Sequence, residues 1–149
     1  MPSAPTIKST VRFHFPHKGS RLSDRSRLKV FIADLFKKER KRLAELDYVF
    51  CSDAYLLDVN RQFLGHDYYT DIITFDLSEP GKAINAEVYI SVDRVRENAG
   101  TFSTTIQREL HRVIFHGALH LCGFSDKKAQ ERAKMRKKED KYLDLYFGG

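Results

Sequence analysis

An α+β fold, in which a small mixed sheet of about four strands packs with helices, is predicted by three features of this 149-residue sequence. The short runs VRFHF, IITFDL and AEVYIS alternate or are rich in β-branched and aromatic residues, as strands with one buried face are. Longer segments carry apolar residues three and four apart, the spacing of a helix with one buried face. The two kinds of segment are interleaved without internal repeat, low-complexity tract or dividing linker, so residues 1–149 are expected to form one domain.

The elements follow in order. VRFHF (11–15) is expected as a strand, and PHKGSRLSD as a turn into a helix whose Leu28, Phe31, Ile32, Leu35, Phe36 and Leu43 make an apolar stripe. YVFCS (48–52) is a second strand. Ser52 then caps a helix with Leu56, Leu57, Phe63 and Leu64 on its buried side, and GHDYYTD breaks it. IITFDL and AEVYIS are joined across SEPGKAIN, where Pro80 followed by Gly81 supplies turn chemistry, which predicts an antiparallel pair. A short helix, VDRVRENA, leads to a capping box at Thr104 and Gln107, which starts a helix running through LHRVIFHGALHL until Gly123 ends it. A basic helix from about Lys127 closes the chain through the apolar residues of YLDLYF.

Charge is unevenly placed. Residues 17–42 hold ten basic and three acidic residues, and residues 127–149 hold eight and four, whereas 43–126 hold six and thirteen. Basic flanks around an acidic middle suit a polyanionic partner, although solvated helix faces are also often rich in lysine and arginine. No stretch approaches the roughly 20 apolar residues that cross a bilayer, and MPSAPTIKST lacks the apolar centre of a secretory signal, so a cytoplasmic location without membrane partners is expected. The two cysteines, Cys51 and Cys122, are read as buried thiols; a four-thiolate metal site is excluded by their number.

The chemistry is concentrated in HGALHLCGFSD, residues 116–126. Histidines four apart on a helix lie one turn apart on the same face, so His116 and His120 can converge on one ion. Gly123 lets the chain reverse, and Asp126 can return to the same point. Two imidazoles and a carboxylate, with a fourth position left to water, is the donor set of a catalytic zinc site. With six histidines in the chain, about 0.2 such pairs arise by chance, so the pair alone says little. The whole phrase carries the reading: an apolar helix with two histidines, a mid-helix glycine, a break and an acid. Zinc-protease motifs place a glutamate after the first histidine, where this chain has Gly117, which disfavours a peptidase and leaves room for a bulky substrate or a close-packed element. His111 and Cys122 are read as packing residues.

HGALHLCGFSD resembles the signature of the YbeY family, metal-dependent single-strand endoribonucleases of ribosomal RNA maturation. TDIITFDL (70–77) is similar to the family's Thr-Asp or Thr-Asn strand, and AEVYIS, with Glu87, to its third signature. The resemblance runs from about residue 47 to 126; the first 46 residues add a compatible layout. It implies one zinc ion per chain on His116, His120 and Asp126, with Thr70, Asp71 and Glu87 lining the site, and single-stranded or ribosomal RNA, the small ribosomal subunit and assembly factors as partners. Two positions depart from the family. Its third ligand is usually histidine and falls here on Asp126, and its arginine six residues before the threonine falls on Leu64, with Arg61 one helical turn earlier either a stand-in or an exposed helix residue.

Arg61 and Asp71 are therefore the candidate catalytic residues, Asp71 as a proton acceptor or, alternatively, a turn cap. Arg25, Lys29 and their basic neighbours on the first helix become a surface for an RNA backbone, and Tyr68, Tyr69 and Phe124 could stack bases or simply pack. Three classes of function remain open: a zinc-dependent endoribonuclease, a metal hydrolase of another substrate such as a peptide, and an RNA or ribosome assembly factor with a structural metal.

Overall fold

Residues 8–148 are described by a computed structural model; the N-terminal MPSAPTI lies outside them. Strands β1 (Thr10–His14), β2 (Leu43–Cys51), β3 (Ile72–Asp76) and β4 (Ile84–Ser91) form a mixed sheet in the order β1-β2-β4-β3. β1 and β4 both run parallel to β2, and β3 runs antiparallel to β4, pairing Ile73 with Tyr89 and Thr74 with Val88. The expected α+β class and antiparallel pair are present.

Alternation sorts the strand residues between two faces. Val11, Leu46, Tyr48, Phe50, Ala86, Val88 and Ile90 point into the main core, which is covered by α1 (Arg25–Lys38) and α4 (Ile106–Leu121). α3 (Val92–Thr101) and α5 (Ala129–Phe147) pack against α4. On the other face Cys51, Leu56, Val59 and Ile73 form a smaller cluster under α2 (Asp53–Val59). The Tyr48 hydroxyl donates to the Ile114 carbonyl at 2.9 Å, tying the centre of the sheet to α4. Both cysteines are buried, one in each face's packing, and burial pushes each thiol up to about 12.

The helix starts and stops differ from expectation in three places. α1 ends at Lys38, because Arg40 takes a positive φ of 61° and Lys41 N–H bonds back to Phe36; Leu43, expected on the helix stripe, instead opens β2. Ser52 does cap α2, accepting from Tyr55 N–H, but the next five residues, Asn60–Leu64, wind as a π-helical turn. A π turn shifts the register of the side chains, and Phe63 and Leu64 are exposed instead of buried. α4 is capped by Thr105, which accepts from Arg108 N–H, one residue beyond the expected Thr104. No helix among the described residues is long and apolar enough to cross a membrane.

Candidate metal centre and substrate cleft

α4 meets the sheet at Gly117, where a side chain has little room. A β-carbon on Gly117 would stand 3.1 Å from Ile72 Cδ1 and 3.1 Å from Val88 Cγ1. The glycine therefore serves the packing of α4 on β3 and β4, which decides between the two uses expected of it. This contact brings the next residue back, His116, against the start of β3.

The His116 imidazole is held at both nitrogens. Nδ1 lies 2.7 Å from Glu139 Oε2 on α5, and Nε2 lies 3.3 Å from Asp126 Oδ2 on the loop after α4. That loop forms as expected: Gly123 has φ 104°, its N–H bonds to the His120 carbonyl, and Phe124 N–H bonds to that of Leu119. Arg132 of α5 fastens its far side by donating to the Lys127 carbonyl at 2.9 Å. Two ligand atoms on one tetrahedral zinc stand roughly 3.4 Å apart, so the His116–Asp126 separation matches that of neighbouring donors. A carboxylate on the remote imidazole nitrogen is the arrangement that orients a metal-binding histidine. His120 is one turn further along α4 and exposed, and among the described residues no three His, Cys, Asp or Glu side chains already converge on one point. The chemistry of the donors suits a divalent ion; closing the set requires the His120 side chain to turn inward.

Around this pair opens a cleft of about 680 Å³, lined by Thr70, Asp71, Asn98, Phe102 and the α4 and α5 residues that face it. Asp71 is fixed by its carbonyl, which accepts from Ser91 N–H at 2.9 Å where β3 meets β4. Burial raises its carboxyl above the ordinary range, against the opposing pull of His116. For His116 burial works in the opposite sense, but the bond to Glu139 outweighs it and the imidazole binds its proton more tightly than usual. Arg112 lies behind them, 3.1 Å from Glu139 and 2.9 Å from Asp140.

Four expected site residues thus meet here: Thr70, Asp71, His116 and Asp126. The others stand elsewhere. Arg61 is exposed on the π turn and paired with Asp67 at 2.5 Å. Glu87 is on the sheet face opposite α4, where Tyr89 Oη donates to it at 3.1 Å, because its strand neighbours Ala86 and Val88 occupy the core side. Arg25 and Lys29 are exposed on α1, over the rings of Phe15 and Phe13 at 4.1 and 5.9 Å. Tyr68 and Tyr69 are exposed, while Phe124 is partly buried beneath Lys134 and Lys138. His111 packs as expected, stacked on Tyr146.

Glu139, Arg112 and Glu109 are cleft residues that sequence reasoning missed. Glu139 sits inside RKKEDK, which reads as a solvated run. Glu109 and Arg112 could have been found, since they lie seven and four residues before His116 and hence on its face of α4.

The chain resembles known proteins over most of its length. The sequence model of the family described as Endoribonuclease YbeY matches residues 18–146. The Endoribonuclease YbeY of Cytophaga hutchinsonii is 46% identical over 138 residues, 93% of this chain and 96% of that protein. The protein of the same name from Phocaeicola vulgatus is 56% identical over 105 residues, 70% of this chain and 75% of that one. The solution structure of TM1509 from Thermotoga maritima superposes with a TM-score of 0.66 at 33% identity, covering 93% of this chain and 89% of that one.

Proposed function

The chain belongs to the YbeY family of endoribonucleases, and from that premise we propose that it is a zinc-dependent, single-strand-specific endoribonuclease of ribosomal RNA maturation and ribosome biogenesis, acting in the cytoplasm as one domain. One observation carries the reading: His116, braced by Glu139 on one nitrogen, faces Asp126 with the other across a distance suited to a shared ion, at the wall of an open cleft.

His116, Asp126 and His120 would hold the ion. When bound, a divalent ion lowers the pKa of a coordinated water and neutralises charge building on a phosphoryl oxygen. Glu139 holds a proton at Nδ1 and keeps the His116 ring oriented, so that Nε2 is the nitrogen presented to the ion, which would displace the proton there. Asp71, its carboxyl raised by burial, accepts the proton of the attacking oxygen, and Thr70 borders the phosphate. Arg61 exchanges Asp67 for an RNA phosphate, and Arg25 and Lys29 track the backbone further out. The RNA itself is single-stranded, because an open cleft lined by the exposed Phe102 ring takes unstacked bases better than a duplex. Its natural context is the small ribosomal subunit and the factors that assemble it.

Elemental analysis of purified protein beside His116→Ala and Asp126→Ala, followed by cleavage of a single-stranded RNA by each, tests this. About one zinc in the wild type, lost from both variants together with cleavage, is expected. Zinc without cleavage would favour an assembly factor with a structural metal, and absence of any metal would remove the proposed centre.

A further inference from the structure

The cleft extends well beyond the metal-side pair. Glu109 sits seven residues before His116, about 10 Å along α4. Its side chain is nearly fully buried in the cleft wall, and among the described residues its Oε1 accepts no hydrogen bond. Arg112 Nε stands 3.7 Å away, close enough to stabilise the charge but too far to donate a bond, because the guanidinium is committed to Glu139 and Asp140. Burial raises the Glu109 carboxyl above its ordinary value, and a buried carboxyl with an unsatisfied oxygen is better satisfied once a donor enters the cleft beside it. The same cleft is lined by Phe102, which caps the end of α3 with 55% of its surface exposed, and the Arg136 guanidinium of α5 lies 5.9 Å from its ring centre. Asn98, one turn before Phe102 on α3, also lines the cleft.

We propose that Phe102, Arg136 and Glu109 form a nucleobase subsite for a nucleotide flanking the scissile phosphate, one that selects bases carrying an exocyclic amino group. The base stacks on Phe102 with Arg136 at its edge, and its amino group donates to Glu109. Cytosine and uracil separate the contributions, since they are alike in size and differ along one edge, an amino group beside a bare N3 in cytosine against a carbonyl beside an N3–H in uracil. The subsite rests on the ribonuclease reading above, yet it can fail while that reading stands.

The test measures binding of short fluorescein-labelled oligocytidylate and oligouridylate, 2′-O-methylated to resist cleavage, by fluorescence anisotropy with the zinc-loaded protein. The wild type is expected to favour oligocytidylate by about 10-fold. Phe102→Ala, at an exposed position, is expected to weaken both oligonucleotides by about 5- to 150-fold. Glu109→Gln, whose amide can donate or accept, is expected to abolish the preference for cytosine without shifting the melting temperature. If Glu109→Gln unfolds the protein, the wild-type ratio and Phe102→Ala decide alone. Binding by the wild type with no cytosine preference and no loss in Phe102→Ala overturns the subsite and leaves the ribonuclease reading intact; no binding of either oligonucleotide removes both.

Discussion

Replacing Gly117 with alanine tests whether α4 owes its position to that residue. Two effects oppose each other. Alanine in a helix interior is more favourable than glycine by about 1 kcal/mol. Against this, the new β-carbon meets Ile72 Cδ1 and Val88 Cγ1 at 3.1 Å, and Val88 Cγ2 at 3.4 Å. Ile72 can turn its terminal methyl aside, but Val88 is fully buried in β4 and β-branched, with little rotamer freedom, so α4 itself must lift by a few tenths of an ångström. Overpacking of this kind costs about 1–3 kcal/mol, which leaves Gly117→Ala destabilised by about 1 kcal/mol, or about 2–4 °C in melting temperature. Urea denaturation of a double-mutant cycle is the assay. In a Val88→Ala background the clash disappears, and Gly117→Ala should become stabilising by about 1 kcal/mol. A Gly117→Ala protein more stable than wild type, or an effect independent of residue 88, would refute the argument that a close helix–sheet approach requires this glycine.

Three further outcomes are expected. Glu139→Gln should keep the fold but weaken zinc binding by about 10- to 100-fold in calorimetry, because the His116 ring loses its charged brace. Acid should loosen the junction of α1 and α5. Burial works to raise the Glu39 carboxyl, but the Tyr142 hydroxyl and Lys138 outweigh it and hold it below its ordinary value of 4.5. A carboxyl depressed in the folded state contributes its stability above the unfolded pKa and loses it as pH falls through the folded one. The gap in stability between wild type and Glu39→Gln should therefore be full above pH 4.5 and close at lower pH in equilibrium unfolding; a gap that widens on acidification would contradict the assignment. Finally, Arg25→Ala and Lys29→Ala should each reduce the salt dependence of single-stranded RNA binding by about 0.7 in log–log slope, and an unchanged slope would take them off the RNA path.

The sequence made the class of fold and part of the candidate site legible for identifiable reasons. Period-two and period-3.6 patterns report which face is buried, and they placed β1, β3, β4, α1 and α4. They could not report the π turn at Asn60–Leu64, because Phe63 and Leu64 carry an apolar pattern that a single inserted residue rotates into solvent. Nor could they separate Leu43 from the α1 stripe, since the positive φ at Arg40 leaves no trace in residue type. At the centre, His116 and Asp126 were readable because one short phrase holds them both. Glu139 was not, because its partnership with His116 spans 23 residues and exists only once α5 has folded over α4. Glu87 illustrates the converse: adjacency in a motif does not set which side of a strand a residue faces.

The two buried thiols give the molecule a pair of internal clocks. Cys51 lies under α2 on one side of the sheet and Cys122 at the end of α4 on the other, each with its thiolate suppressed by a pKa near 12. A thiol reagent can reach either one only when its own layer opens. Labelling rates at the two positions, resolved by peptide mass, would time the opening of each layer separately in the unmodified chain. A ligand that tightens the α4 side should slow Cys122 and leave Cys51 at its own pace.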